Sequence, residues 1–135
     1  MQLDVNLRAM ILFYRETLEM LKAAGAEHGT AQVVNVASVA GKNPEPWLSV
    51  YSATKAAVVA YTVSMNKELN GEGIKSVALC PGFVDTDVTD FVKGSISSAQ
   101  MIQPADIAAA VRFVLGLSKA VVIPEIIFQR PGETL

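Results

Sequence analysis

Two short strand-like runs separated by a long helical pattern constrain this chain more than any other feature. Gln32–Ala37 carries nearly continuous apolar residues between turn signals, as a strand buried on both faces would. After the loop Gly41-Lys42-Asn43-Pro44-Glu45-Pro46, a run rich in Ala, Val and Met extends from Ser49 to about Leu69 and stops at Asn70-Gly71-Glu72-Gly73. A second strand, Ile74–Cys80, then ends hard at Pro81-Gly82. Strands joined through a helix of that length must pair in parallel, with right-handed crossovers.

The flanking segments extend the alternation. Leu3–Ala24 reads as a helix, with Leu7, Met10, Ile11, Tyr14, Leu18 and Leu21 at the three-and-four spacing of a buried face. Gly25 is expected to end it, and His28-Gly29-Thr30 to form a turn. Phe83–Met101 reads as irregular or partly helical, with Gly94, Ser95, Ser97 and Ser98 suggesting mobility. Pro104 at a first helical position opens a third helix to about Leu117, and a last strand falls within Val121–Phe128. The fold class is α/β, a doubly wound parallel sheet or a piece of one.

Composition excludes several classes. With 135 residues, 51% hydrophobic and 18% charged, the chain is no disordered segment. The best apolar run, Ile107–Leu117, is split by Arg112 and falls short of the ~20 residues a membrane span needs. A net charge of −2 leaves no strong positive field, so no nucleic acid and no membrane surface is expected as a partner. Met1-Gln2-Leu3-Asp4 lacks the basic start of a signal peptide, and a cytoplasmic location is the expectation. Cys80 is the only cysteine, so no internal disulfide and no cysteine-rich metal site is expected.

Tyr51-Ser52-Ala53-Thr54-Lys55 sets a phenol and an ammonium four residues apart near a helix start, within roughly 40° of one another on one face. A tyrosine that gives up a proton near pH 7 must come down from a free pKa of ~10, which costs about 4 kcal/mol. An ammonium ~4–5 Å away contributes about 3–4 kcal/mol at an effective dielectric of ~20. The spacing therefore suits general acid–base chemistry. Tyr14 and Tyr61 face Leu18 and Met65 instead. Ser38 sits at the carboxyl end of the first strand, where open α/β sheets gather ligands, and Pro81-Gly82 turns the chain at the end of the next.

Asn35-Val36-Ala37-Ser38-Val39-Ala40-Gly41, Tyr51-Ser52-Ala53-Thr54-Lys55-Ala56-Ala57 and Pro81-Gly82-Phe83-Val84-Asp85-Thr86, in that order and with these gaps, resemble the short-chain dehydrogenase/reductase family. Asp4-Val5-Asn6-Leu7 is similar to the segment that carries the family's catalytic asparagine. The resemblance implies a Rossmann-like sheet of which residues 1–135 are the C-terminal catalytic half, about three strands with flanking helices. The glycine-rich half that holds the cofactor pyrophosphate is absent, as no Gly-x-x-x-Gly-x-Gly occurs.

It further implies an oxidoreductase that moves a hydride between NAD or NADP and an alcohol or carbonyl substrate. Tyr51 would be the acid–base residue, Ser38 would orient the substrate oxygen, and Lys55 would support Tyr51 and bind the nicotinamide ribose. Asn6 would hold a water in a proton relay behind the lysine. Pro81, Gly82, Val84 and Thr86 would border the nicotinamide, Phe83–Met101 would form a substrate lid, and Trp47 and Phe83 would wall the pocket. A homodimer or homotetramer through the two long helices is also implied.

More ordinary roles exist for several of these residues. Asn6 would serve as a helix N-cap, Ser38 as a turn serine, Asn35 as a structural hydrogen-bonding group and Cys80 as a small buried residue. As a whole, the chain would alternatively be a truncated, inactive fragment or pseudoenzyme acting as an association module. A serine hydrolase built on Ser38 fails, because His28 is the only histidine and no nucleophile elbow surrounds the serine.

Overall fold

The computed structural model describes all residues, 1–135. Helix α1 (Ala9–His28) is preceded without a break by a single π-helical stretch, Asp4–Arg8. Then follow strand β1 (Ala31–Val36), helix α2 (Ser49–Leu69), strand β2 (Ile74–Pro81), helix α3 (Pro104–Leu115) and strand β3 (Glu125–Phe128). The three strands form one parallel sheet in the order β1-β2-β3, with Ala31 opposite Ile74 and Ala78 opposite Glu125. This is the parallel α/β arrangement that the alternating pattern implied, and the Rossmann-like sheet that the resemblance implied. No helix is long and apolar enough to cross a membrane.

The two-residue period of β2 distributes the core. Ile74, Ala78 and Cys80 face α1 and α2, where they meet Tyr14, Leu69, Val58 and Val59. Val77 and Leu79 face the other way, against Val114 of α3. Every residue of β2 is buried, so its polar groups need partners inside the protein. β3 reaches only as far back as Ala78, and at Ser76 the Asn66 side chain takes a strand's place. Its Nδ2 donates to the Ser76 carbonyl and its Oδ1 accepts from the Ser76 N–H, both at 2.6 Å. The Ser76 hydroxyl meets the Tyr14 hydroxyl at 3.1 Å.

Two expectations are corrected. β1 is not buried on both faces: only Ala31 and Asn35 are buried and Val36 is 54% exposed, because β1 is an edge strand with nothing on its outer side. Asn35 has a structural partner, its amide donating to Thr62 Oγ1 at 3.0 Å. The first helix does not stop at Gly25 but runs on to His28, and Gly29 (φ 74°) is the left-handed residue that ends it. Gly25 is instead where α1 meets the turn after α2. A Cβ there would lie 2.4 Å from the Glu72 carbonyl oxygen.

Helix propensity favours alanine over glycine by about 1 kcal/mol, but overpacking against a backbone atom costs about 1–3 kcal/mol. Gly25→Ala is therefore expected to lower the urea unfolding free energy on balance. Gly71→Ala, with nothing within 4 Å, is expected to stay within about 0.5 kcal/mol of the parent. Equal unfolding midpoints for the two variants would contradict this account of the contact.

Candidate active site

The site forms where β1 and β2 end and α2 begins. Past Val36 the chain enters a short turn, Val39–Gly41, that Ser38 caps by accepting from the Ala40 N–H at 3.2 Å. The Ser38 hydroxyl also donates to the Pro81 carbonyl at 3.4 Å, a long bond across the ends of the two strands. Gly41 closes this turn against α2: a Cβ there would meet the Lys55 carbonyl carbon at 2.6 Å and the Ala56 nitrogen at 2.7 Å. Only a glycine lets the turn lie directly on the helix backbone. That contact fixes how far Ser38 stands from the first turns of α2.

Tyr51 and Lys55 come together on α2 as their spacing required. The Lys55 ammonium lies 5.6 Å from the Tyr51 ring centroid and donates to the Val36 carbonyl at 2.8 Å. Burial holds this ammonium below its ordinary pKa, and the neighbouring Cys80 acts weakly in the opposite sense. Asn6 lies within the π-helical stretch, so it is not an N-cap. Its amide donates to Thr54 Oγ1 at 3.2 Å, and that hydroxyl donates to the Tyr51 carbonyl at 2.7 Å. Asn6 is thus tied to the first turn of the tyrosine helix, with no direct bond to Lys55.

A cleft of about 620 Å³ opens at these strand ends. Ser38, Tyr51, Gly82 and Phe83 line it, together with Leu48 and Val88. Pro81 is buried below it as the last residue of β2. Val84 pairs with Ile102 in an isolated bridge, and the Thr89 hydroxyl donates to the Val84 carbonyl at 2.6 Å. Thr86 caps the short helical turn Asp87–Val92. The segment expected as a lid therefore has a pinned base and two short 3₁₀ turns. Its outer residues Val88 and Phe91 are largely exposed, and the Phe91 ring meets Phe83 edge-on at 6.4 Å.

Trp47 does not stand on the cleft wall. It is 100% exposed at a positive φ of 68°, an unusual conformation for a bulky residue. The carboxyl-terminal tail was not anticipated: Gln129, Glu133 and Thr134 line the cleft. Pro131-Gly132, with Gly132 at φ 86°, is the turn signal that brings the chain back. Arg130 pairs with Glu133 and lays its guanidinium 5.8 Å from the Phe83 ring centroid. Burial pushes the Glu133 carboxyl up, but the hydrogen bonds and charge of Arg130 outweigh it and leave the group below the usual carboxylate range.

A sequence model of the short chain dehydrogenase family matches residues 2–95. A putative ketoacyl reductase of Streptomyces coelicolor is 31% identical over 140 residues, 89% of this chain and 54% of that protein. A 2-dehydro-3-deoxy-L-rhamnonate dehydrogenase (NAD(+)) of Sphingomonas sp. is 39% identical over 88 residues, 65% of this chain and 34% of that one. Among solved structures, the 3-ketoacyl-(acyl-carrier-protein) reductase from Brucella melitensis complexed with NADH superposes with a TM-score of 0.83 at 28% identity, over 96% of this chain and 55% of that one. The chain belongs to the short-chain dehydrogenase family. It spans about half the length of the relatives it matches, or less.

Cys80 gives a check on burial at the centre of the sheet. Its thiol is fully buried, and burial together with the Glu125 charge pushes its pKa from the ordinary 9.0 up to about 11, the Lys42 charge opposing them. Between these values the unfolded chain releases a proton that the folded chain keeps, so stability present below pH 9 is lost as pH rises through 11. The urea midpoint is expected to fall over this window, and to fall less in Cys80→Ala. Equal pH slopes for the two proteins would refute the assignment.

Proposed function

We propose that this chain is the C-terminal, catalytic half of a short-chain dehydrogenase that interconverts an alcohol and a carbonyl compound with NAD or NADP. The observation that carries this reading is the meeting of Ser38, from the end of β1, and Tyr51, from the first turn of α2, on one cleft, with the Lys55 ammonium beside the phenol ring. Membership of the family favours an oxidoreductase over an association module, and the named relatives include an NAD(+) dehydrogenase and a reductase bound to NADH.

The residues present fit the reactive end of a nicotinamide cofactor. The Lys55 ammonium is held beside the Tyr51 ring by one carbonyl, which leaves two of its protons for a ribose. Gly82 offers an open backbone on the cleft wall, where an added Cβ would find only ordinary contacts at 3.4 Å and beyond. Pro81, Gly82, Val84 and Thr86 would border the nicotinamide, which supplies or accepts the hydride when bound.

The chain's own residues would handle the proton. The Ser38 hydroxyl exchanges its long bond to Pro81 for the substrate oxygen and orients it. The Tyr51 phenol gives that oxygen a proton in reduction and takes it back in oxidation. The Lys55 ammonium stabilises the phenolate that remains. Asn6 acts through Thr54 to hold the first turn of α2 in place, and a water on its amide would continue the relay. Phe83 walls the cleft and the lid following it would gate entry. Leu3, exposed just before the π-helical stretch that leads into α1, and Val50, exposed on α2, would contribute to a homodimer or homotetramer through the two long helices.

Nicotinamide mononucleotide tests the cofactor end without requiring a pyrophosphate cradle. Titration at millimolar concentration is expected to move the backbone amide resonances of Tyr51, Lys55, Gly82 and Thr86, whereas the intact dinucleotide should bind the chain alone more weakly than micromolar, and micromolar affinity would sink that expectation. Resonance shifts confined to other regions would sink the proposal. In a longer protein that turns over, Tyr51→Phe should cut the rate at least a thousandfold and spare cofactor binding. Undiminished turnover would reject the mechanism.

A further inference from the structure

The exit of β2 carries a polar side chain at each of two successive residues. The Ser38 hydroxyl donates to the Pro81 carbonyl at 3.4 Å. The Glu133 carboxylate lies over Gly82, where an added Cβ would stand 3.4 Å from its Oε2. Both side chains line the cleft. They are anchored one residue apart, and consecutive Cα atoms are only ~3.8 Å from one another. A substrate of a few carbons therefore has Ser38 and Glu133 within reach together.

The hydrogen bonds of Glu133 are unevenly shared. Its Oε1 accepts from both Nε and Nη2 of Arg130, whereas Oε2 accepts only from the Arg130 backbone N–H, at 3.1 Å. An ionised carboxylate accepts about four hydrogen bonds, two on each oxygen. The second place on Oε2, the oxygen beside Gly82, is taken by no protein donor. Arg130 cannot serve another anion without giving up Glu133, and its guanidinium is also laid against the Phe83 ring.

The charges around the cleft have one sign to spare. No lining side chain is cationic, and Glu45 adds a second carboxylate. The cationic side chains that adjoin lining residues in sequence are all paired: Arg130 with Glu133, Lys42 with Glu125 at 3.0 Å, and Lys93 with Asp85 and Asp90. The Lys55 ammonium stands apart from these, beside the Tyr51 ring at the reacting end.

We propose that Glu133 selects the substrate by receiving an ammonium group, so that the cleft takes alcohols or carbonyl compounds bearing an amine and turns away those bearing a carboxylate. The proposal rests on the reading of this cleft as the substrate site. An ammonium brings the donor that Oε2 lacks. A carboxylate in the same place meets Glu133 and Glu45 with the nearest guanidinium already committed, and an unpaired like charge is an effective means of rejecting a ligand.

Isopropanolamine, sec-butanol and lactate test this directly, since they share a methyl carbinol and end in an ammonium, a methyl and a carboxylate. Each is titrated into the chain while the backbone amide resonances of Gly82, Phe83 and Glu133 are followed. Isopropanolamine is expected to bind at least tenfold more tightly than lactate, with sec-butanol between them. Glu133→Gln keeps the side chain's shape, removes its charge and frees Arg130. It should narrow the preference to within threefold, chiefly by improving lactate, and leave sec-butanol unchanged. Glu16→Gln removes an equal charge from the exposed face of α1 and should leave the preference intact.

The order of affinities in the parent chain tests the proposal without any variant. Lactate binding as tightly as isopropanolamine would overturn it, as would shifts confined to other regions. An unchanged preference in Glu133→Gln would overturn it too, and so would an equal loss of all three ligands, which would make Glu133 a structural residue. No turnover or cofactor enters this titration. Undiminished turnover in Tyr51→Phe therefore counts only against the proposed chemistry, and a missing ammonium preference only against the role of Glu133.

Discussion

The complete burial of β2 is the constraint on which the rest of the structure depends. A strand with no residue at the surface must have both faces covered and every peptide group bonded, and each neighbouring element meets part of that requirement. α1 and α2 cover Ile74, Ala78 and Cys80, and α3 covers Val77 and Leu79. Asn66 completes the hydrogen bonding at Ser76, where β3 has not yet begun. Because β2 is fixed so thoroughly, its exit at Pro81-Gly82 is fixed as well. The cleft inherits its floor from the most buried part of the chain.

The second determinant is a backbone contact without a side chain. Gly41 lies against the peptide between Lys55 and Ala56, which joins the turn after β1 to the middle of the Tyr51–Lys55 segment. The relative position of Ser38 and the tyrosine helix is therefore set by main chain on main chain, a stiffer coupling than packed side chains provide. Asn6 adds a polar tie from the other side, through Thr54 to the Tyr51 carbonyl. Two elements, the turn after β1 and the π-helical stretch, thereby hold the start of α2.

Local signals carried well where local physics decides. The Ser49–Leu69 helix and the strand ending at Pro81-Gly82 were legible because their periodicity and stop signals belong to the segment itself. Ser38, Tyr51 and Gly82 were legible as neighbours because parallel strands bring their carboxyl ends together. Gly25 was misread because a glycine that admits a neighbouring backbone looks, in sequence, like one that ends a helix. The partner that distinguishes the two cases, Glu72, lies far along the chain. The resemblance places Trp47 on a pocket wall, while its loop carries it outward. The tail residues Gln129, Glu133 and Thr134 were not anticipated because their place on the cleft depends on a turn whose direction no periodicity encodes.

The position of Trp47 decides what optical spectroscopy of this protein reports. It is the sole tryptophan, and its indole is already in water in the native state. Its emission is therefore nearly blind to melting of the core, which the buried Tyr14 registers instead. The indole becomes a selective reporter of anything that settles on the loop before α2, beside the cleft.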